Sequence, residues 1–296
     1  MKTEWLESIL CIARQRNIDA AARELGRAVG TVRQHLTSVE QEVGIRIFEA
    51  RDAQLHPTPA GALYLRQAQR LMAVALRAAE SARAIAAGNA GTLRLGICDE
   101  LATPRLAALI RASQQRFPGL KVQLEELSVA ALQAAVSQHR IDLALLPVVT
   151  EHRDLVIEKL WQERWRVVLP VRHPLRGNAR LDCRDLRDSD LVLSHPMLSP
   201  CGHDLIRAAF AAHAVEPRTA ALVLGRATML TLVNAGVGAT FVPESFSIST
   251  QDAEQFPVMV PFDATPMEIA AAYHSDGTAG VAKQFLRVVR EAGASG

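Results

Sequence analysis

Residues 17–44 decide how this chain is read. They run Asn17-Ile18-Asp19-Ala20-Ala21-Ala22-Arg23-Glu24-Leu25-Gly26, then Arg27-Ala28-Val29-Gly30-Thr31-Val32-Arg33-Gln34-His35-Leu36-Thr37-Ser38-Val39-Glu40-Gln41-Glu42-Val43-Gly44. An Ala-rich helix stops at Leu25-Gly26, a tight turn follows, and a second amphipathic helix runs to Val43. At about 100° per residue, Val32, Leu36, Val39 and Val43 form one stripe. The opposite face carries Gly30, Arg33, Gln34 and Thr37, flanked by Thr31 and Ser38. This is a helix-turn-helix layout, and a polar, donor-rich outer face is what base reading in a DNA major groove requires. The plainer alternative is a small three-helix domain with a solvated face. The tight turn and the basic segment that follows favour DNA.

The neighbouring segments extend this domain. Upstream, Leu6, Ile9, Leu10 and Ala13 fall at helical spacing and give a first helix. Downstream, Gly44 to Arg51 and Asp52 to His56 read as two extended runs around a polar turn, a β-wing or an ordinary surface hairpin. Arg46, Arg51 and His56 are its candidates for phosphate contact. From Pro59 to about Ala87 one long helix is expected. Leu65, Ala68, Met72, Ala75, Ala79, Ala82 and Ala86 step by three and four, a heptad seam suited to dimerisation, or a helix lying on its own domain. Gly88-Asn89-Ala90-Gly91 is the expected hinge that ends it.

Beyond the hinge, strands alternate with helices. Leu93, Leu95 and Ile97 alternate as a strand, and Thr103-Pro104 opens a helix by cap and first-turn proline. Val122 and Leu124 begin a second strand, residues 129–138 a helix, and Asp142 to Pro147 a buried third strand. This predicts a parallel βαβαβ unit. A second unit is expected from Arg166-Val167-Val168-Leu169-Pro170. It continues through Leu191-Val192-Leu193, a helix from about Asp204 to His213, and Gly236 to Pro243. The tail, Met267 to Ala272 and a helix near Val281 to Glu291, is expected to cross back to the first unit.

Composition sets the limits. A chain of 296 residues suggests two or three domains, and its net charge of +2 says little about nucleic acid, because a neutral body dilutes a small basic head. The first residues lack the apolar core of a signal peptide, and no apolar run spans a bilayer. Cys11, Cys98, Cys183 and Cys201 lack metal-type spacing, so free thiols in a reducing cytoplasm are expected and no metal or cofactor.

The chain resembles the LysR-type bacterial transcription regulators. Ala21-Ala22, Leu25, Val32, Glu40, Gly44, Ile47-Phe48 and Thr58-Pro59-Ala60-Gly61 carry the N-terminal pattern. Arg140-Ile141-Asp142-Leu143-Ala144, His173-Pro174-Leu175 and Ala235-Gly236-Val237-Gly238 match the body. The resemblance implies an α/β architecture: an N-terminal winged helix-turn-helix (1–58), a linker and dimerisation helix (59–90) and a two-lobed Rossmann-like effector domain resembling a periplasmic binding protein. Its lobe I is expected at 91–163 and 265–296, and lobe II at 164–264. The partners implied are double-stranded operator DNA, a second copy through the linker helix, a tetramer, a small-molecule effector and RNA polymerase. The DNA-contacting set is then Val29, Gly30, Thr31, Arg33, Gln34, Thr37 and Arg51.

Departures from the family pattern carry information. Ala28, Val29 and Gly30 stand where Ser, Gln and Pro are usual, Arg33 where Ser is usual, and Ala50 where Arg is usual. The first change removes an N-cap, typically worth ~1 kcal/mol. Arg33 adds a guanidinium able to read guanine or grip phosphate. The fold survives these changes; an operator sequence borrowed from the family does not.

In such a domain, ligands bind beyond the carboxyl ends of the strands. The resemblance places the effector at Cys98, Asp99, Glu100, Thr103, Ser128, Pro147, Ser199, Cys201, His203 and Arg226. If Asp99 and Glu100 point inward they favour a cationic or amine-bearing effector; if they face solvent they say nothing. Cys201 occupies the loop that holds a reactive cysteine in the peroxide-sensing members, but Phe210 stands where their resolving cysteine would be. A small pocket residue is the favoured reading of Cys201. An enzyme is disfavoured: His195, Cys201, His203 and Asp204 form no set with catalytic spacing, and no P-loop or metal-ligand set occurs. A periplasmic solute-binding protein leaves residues 1–88 unexplained.

Overall fold

The computed structural model describes residues 2–52, 54–86, 91–148, 153–197, 200–246, 257–276, 278 and 280–293. The chain divides into two compact units, residues 1–83 and 84–296.

The first unit contains α1 (Thr3–Gln15), α2 (Ile18–Leu25), α3 (Val29–Val43), the hairpin β1 (Phe48–Arg51) and β2 (Gln54–Pro57), and the start of α4 (Pro59–Ala86). Each boundary has a local cause. Asn17 caps α2 by accepting from the Ala20 N–H at 2.9 Å. Gly26 ends α2 in the left-handed region at φ +62°, where a side chain would be strained. Thr58 Oγ1 donates to the Arg46 carbonyl at 2.7 Å and accepts from the Gly61 N–H at 2.9 Å, starting α4 ahead of Pro59 at its first position. Gly61 is there because a Cβ would sit 2.0 Å from the Ile47 carbonyl oxygen. The Thr-Pro-Ala-Gly motif is thus the joint that presses the long helix against the wing. Leu6, Ile9, Ile12, Ala21, Ala22, Val32, Val39, Ile47, Phe48, Leu65 and Ala68 form the core.

Two sequence expectations are corrected here. The buried stripe of α3 is Val32, His35 and Val39, whereas Leu36 is half-buried and Val43 is 37% exposed. The stripe turns because Ser8 of α1 offers His35 a polar partner. The α4 seam also divides. Leu65 and Ala68 belong to the head's own core and Met72 packs on it, so these positions are not open to a second chain. The large apolar side chains that α4 leaves exposed include Leu63, Leu71 and Val74, on a different face. Ala75, Ala79 and Ala82 are also exposed. The hinge residues 88–90 lie outside the described residues.

The second unit is built on a six-stranded sheet in the order β4-β3-β5-β10-β6-β9. Its strands are β3 (Gly91–Ile97), β4 (Leu120–Glu126), β5 (Leu143–Pro147), β6 (Leu155–Leu169), β9 (Thr240–Pro243) and β10 (Val258–His274). β3 pairs parallel with β4 and β5, as the βαβαβ pattern predicts, through α5 (Pro104–Arg116) and α6 (Val129–Ser137). Lobe II is not a copy of this arrangement. β6 and β10, of 15 and 17 residues, run antiparallel to each other through both lobes. One carries the chain out and the other back, so they must oppose. Their register breaks between Phe262 and Met267, opposite Trp165 and Glu163. The parallel pair β7 (Asp190–Ser194) and β8 (Arg218–Val223) meets β9 through a bridge from Leu191 to Ala239 and through the Thr240 hydroxyl, which donates to the Val192 carbonyl at 2.7 Å. The helices α7 (Pro200–Ala212) and α8 (Arg226–Asn234) complete lobe II, and α9 (Gly280–Gly293) returns to pack on α5 and β3.

Candidate functional site

The reading face of α3 is set from beneath. The Arg27 guanidinium, at the turn, donates to Glu7 Oε2 at 2.7 Å, Ser8 Oγ at 3.1 Å and the Glu4 carbonyl at 3.2 Å. Ser8 Oγ lies 2.8 Å from His35 Nδ1. This network ties α1, the turn and α3 together without using a group on the outer face. Ala28 occupies the N-cap of α3 and supplies no side-chain bond, as its substitution for Ser predicts. At the other end Glu40 Oε1 accepts from the Ile47 N–H at 2.6 Å, fixing the wing to the helix. The late Glu of the family pattern is therefore a backbone clamp.

Val29, Gly30, Thr31, Arg33, Gln34 and Thr37 are all exposed on this face. Arg33 makes no ion pair among the described residues. The Thr37 hydroxyl donates back to the Arg33 carbonyl at 3.1 Å, leaving its oxygen as an acceptor. In the wing, Arg51 is exposed and pairs with Glu49 at 2.5 Å, an exchangeable surface contact. Arg46 is exposed and His56 half-buried.

The second set lies between the lobes. β3 ends at Cys98, and a single 3₁₀ turn follows over Asp99–Leu101. From lobe II, Arg226 at the first position of α8 reaches across to this turn. It donates to the Asp99 carbonyl and, at 3.3 Å, to the Ala102 carbonyl, and its Nε stands 3.7 Å from Asp99 Oδ2. The guanidinium also stacks on Phe246, 4.8 Å from the ring centre. Arg226 thus latches one lobe to the other.

Glu100 lies beside this latch and is only 7% exposed. Neither carboxyl oxygen accepts a hydrogen bond of ordinary geometry from nitrogen or oxygen. Burial pushes its carboxyl up from the usual glutamate value and the Asp99 charge adds to this, while its own backbone N–H, the Cys98 thiol and the Arg226 charge oppose it. An unpaired buried carboxyl costs free energy and needs a reason. Asp99, Glu100, His203 and Arg226 line one cavity with Trp165 and Phe241. As closed here the cavity measures ≈ 30 Å³, room for a water or two. His203 is held by a 3.0 Å contact from Nδ1 to the Ser194 carbonyl.

The other expected residues stand apart from that cavity. Cys98 is fully buried behind Glu100, and burial raises its thiol well above the normal range. Thr103 is buried at the start of α5, but its hydroxyl makes no cap bond. Ser128 caps α6 by accepting from the Ala131 N–H at 3.4 Å, so its hydroxyl is already engaged. Pro147 is built into the sheet opposite Ile269. Cys201 donates to the Val148 carbonyl at 3.2 Å, and burial raises its thiol too, so the nucleophilic thiolate is disfavoured. Ser199 lies outside the described residues. Phe210 is a core residue.

Sequence reasoning passed over Glu163, 3% exposed at the crossing between lobes. It accepts from Trp161 Nε1 at 2.7 Å and the Ser245 N–H at 3.2 Å, and faces Arg105 at 3.8 Å. No local signal marks it, because Glu158, Lys159, Arg164 and Arg166 are charged in the same strand. A larger cavity of ≈ 640 Å³ lies at the other end of β7 and α8, lined by His173, Asp188 and Gly238 among others. Its lining contains no unpaired buried carboxyl among the described residues, and it faces the amino ends of the parallel strand β7 and of β9, so the cleft is the better ligand site.

A winged helix-turn-helix joined to a two-lobed α/β domain with a latched cleft defines a ligand-responsive DNA-binding regulator. Residues 3–62 match the bacterial regulatory helix-turn-helix proteins of the lysR family, and residues 86–294 match the LysR substrate binding domain. The chain belongs to the LysR family of bacterial transcriptional regulators. It is 28% identical over 294 residues to the transcriptional regulator TfdS of Cupriavidus pinatubonensis, covering 98% of both chains. To the regulator TtuA of Agrobacterium vitis it is 28% identical over 244 residues, covering 82% of this chain and 80% of that one. Full-length CbnR bound to its target DNA has the same fold, with a TM-score of 0.75 at 21% identity over 98% of this chain and 99% of that one. The protein is therefore a DNA-binding transcriptional regulator with an effector-binding domain, not an enzyme. Among the described residues no helix is long and apolar enough to cross a membrane.

Proposed function

We propose that this regulator responds to a small effector carrying an amine or another strong hydrogen-bond donor, taken up between the lobes against Glu100. The buried Glu100 carboxyl, whose oxygens accept no hydrogen bond of ordinary geometry, carries this reading. A ligand ammonium would supply the partner that the protein withholds, while Trp165 and Phe241 would cover an apolar body. Entry requires the lobes to part, because ≈ 30 Å³ admits no organic molecule. Arg226 is the contact that entry must break or rearrange. A ligand shifts the lobes only by its differential affinity for the two arrangements, and exchanging the Arg226 contacts for ligand contacts is such a difference.

On DNA, Arg33, Gln34 and Thr31 would read bases of the double-stranded operator, with Val29, Gly30 and Thr37 beside them and Arg51 on phosphate. The exposed apolar side chains Leu63, Leu71 and Val74 support dimerisation through α4, with a tetramer as the working assembly. The protein would act in the cytoplasm, where its operator is.

A thermal-shift screen of amines, amino acids and aromatic acids against wild type and Glu100→Gln tests the effector class. An amine should raise the wild-type melting temperature and lose most of that effect in the variant. Stabilisation by simple carboxylic acids alone, equal in both proteins, would refute the reading.

A further inference from the structure

We infer that lobe I carries a binding site for a divalent late transition metal at His139, His274 and Asp276, remote from the effector cleft. One ligand atom from each of these three residues lies within 4.8 Å of the other two. Two imidazoles and one carboxylate are the donor set that such ions prefer, with a coordination position left for water or a fourth ligand.

The placement of each ligand supports the site. His139 follows α6 in the left-handed conformation at φ +56°, a position that glycine fills without steric cost. The backbone there closes α6, with the His139 N–H donating to the Val136 carbonyl at 2.9 Å and the Arg140 N–H to the Ala135 carbonyl at 2.8 Å. The side chain is 9% exposed and turned against His274, with ring centres 4.0 Å apart. His274 is the last residue of β10. Its Nδ1 accepts from the Asp276 backbone N–H at 3.2 Å and lies 3.1 Å from Asp276 Oδ2.

The surroundings hold the two segments in place. Asp154 accepts from the Ser137 hydroxyl at 3.2 Å, and its carbonyl accepts from the Ser275 N–H at 2.9 Å. The end of α6 and the turn after β10 are thereby fixed to the start of β6. Zinc bonds of about 2.0–2.1 Å place tetrahedral ligand atoms roughly 3.4 Å apart, so the ligands must close in by about an ångström. The Asp276 side chain, 79% exposed, is free to make that rotation, while the buried His139 ring stays.

β10 runs antiparallel to β5, with Ile269 opposite Pro147 and Ala272 opposite Ala144. His274 therefore lies at the end of the sheet away from the cleft, the end where β3 enters at Gly91. A bound ion would clamp α6 to the β10–α9 connection and stiffen that end. This reading stands whether or not an effector binds the cleft.

The test uses the full-length protein stripped with chelator. Equilibrium dialysis against Zn²⁺ should give one ion per chain, with Mg²⁺ giving none. His139→Gly is the decisive variant, because glycine suits the left-handed position. It should stay folded in chelator, because glycine relieves the backbone there, while Zn²⁺ affinity falls at least about tenfold. His274→Ala and Asp276→Asn should each weaken binding by a similar factor. Absence of stoichiometric Zn²⁺ in wild type would overturn the proposal. So would Zn²⁺ binding unchanged in His139→Gly, or Mg²⁺ binding as tight as Zn²⁺.

Discussion

The reading face of α3 and the cleft beside Glu100 treat polar groups in opposite ways. On α3, Arg33, Gln34 and Thr31 stand in water, which satisfies their polar groups. In the cleft, Glu100 is withdrawn from water and given no partner of ordinary geometry, and Arg226 is spent on carbonyls across the gap. An exposed recognition surface costs folding little. A buried one costs more, and under the proposed function that cost is relieved when a ligand supplies the partner.

The sharpest way to break this comparison is to separate the copies of the chain. If two heads act as one reader, Leu71→Glu and Val74→Glu, which place like charges at a two-fold contact, should convert the oligomer to monomer in light scattering. Binding to an operator with two half-sites should fall to the level of one half-site. An unchanged oligomer in both variants would move the interface away from this face of α4.

Next in size is the reading face itself. Arg33→Ala should cost ~1–3 kcal/mol of operator binding, about 5–150-fold, and leave random DNA less affected. Arg51→Ala should weaken all sequences alike and reduce the salt slope. Equal losses on all sequences for Arg33→Ala would make it a phosphate contact.

The cleft side is sharpened by Glu100→Gln. The folded carboxyl holds its proton more tightly than in the unfolded chain. The folded state therefore carries more proton between the two pKa values, and stability falls as pH rises through that window. Above the raised value the full cost remains. We predict that the ligand-free variant is more stable than wild type near neutral pH by about 1–3 kcal/mol. That stabilisation should disappear below the ordinary glutamate range. Melting curves across pH check both statements, and a variant less stable than wild type at neutral pH would show that Glu100 is satisfied in the fold.

The smallest effect belongs to the turn. Ala28 leaves the first N–H groups of α3 without a side-chain cap. Ala28→Ser should stabilise the head by ~1 kcal/mol in chemical denaturation. No gain would mean that the serine does not adopt the cap geometry.

What the sequence discloses follows the same division. The two helices, the wing, the long helix and the first βαβαβ unit could be read from periodicity and punctuation, because each is a local pattern. The exposed face of α3 was legible for the same reason. The inner face was misread at His35, whose burial depends on Ser8, 27 residues away. The α4 seam was misassigned in its first half because apolar spacing does not say which partner covers it. In the effector domain, the antiparallel crossing of β6 and β10 joins residues about 100 apart, as in the contact from Trp165 to the Thr265 carbonyl, and no local signal marks it. At the cleft, Asp99, Glu100, His203 and Arg226 could be named from strand ends and the family resemblance. Which of them is buried without a partner depends on the closure of two lobes.

The account rests on separate but coupled sites, and operator binding measured by fluorescence anisotropy tests that most directly. The titration uses the amine selected by thermal shift, with wild type and Glu100→Gln. Without effector, the two proteins should bind operator within about twofold of each other, because residue 100 lies outside the helix-turn-helix unit. With effector, only wild type should change its affinity or stoichiometry. A full effector response in Glu100→Gln would contradict the account and move the controlling site elsewhere.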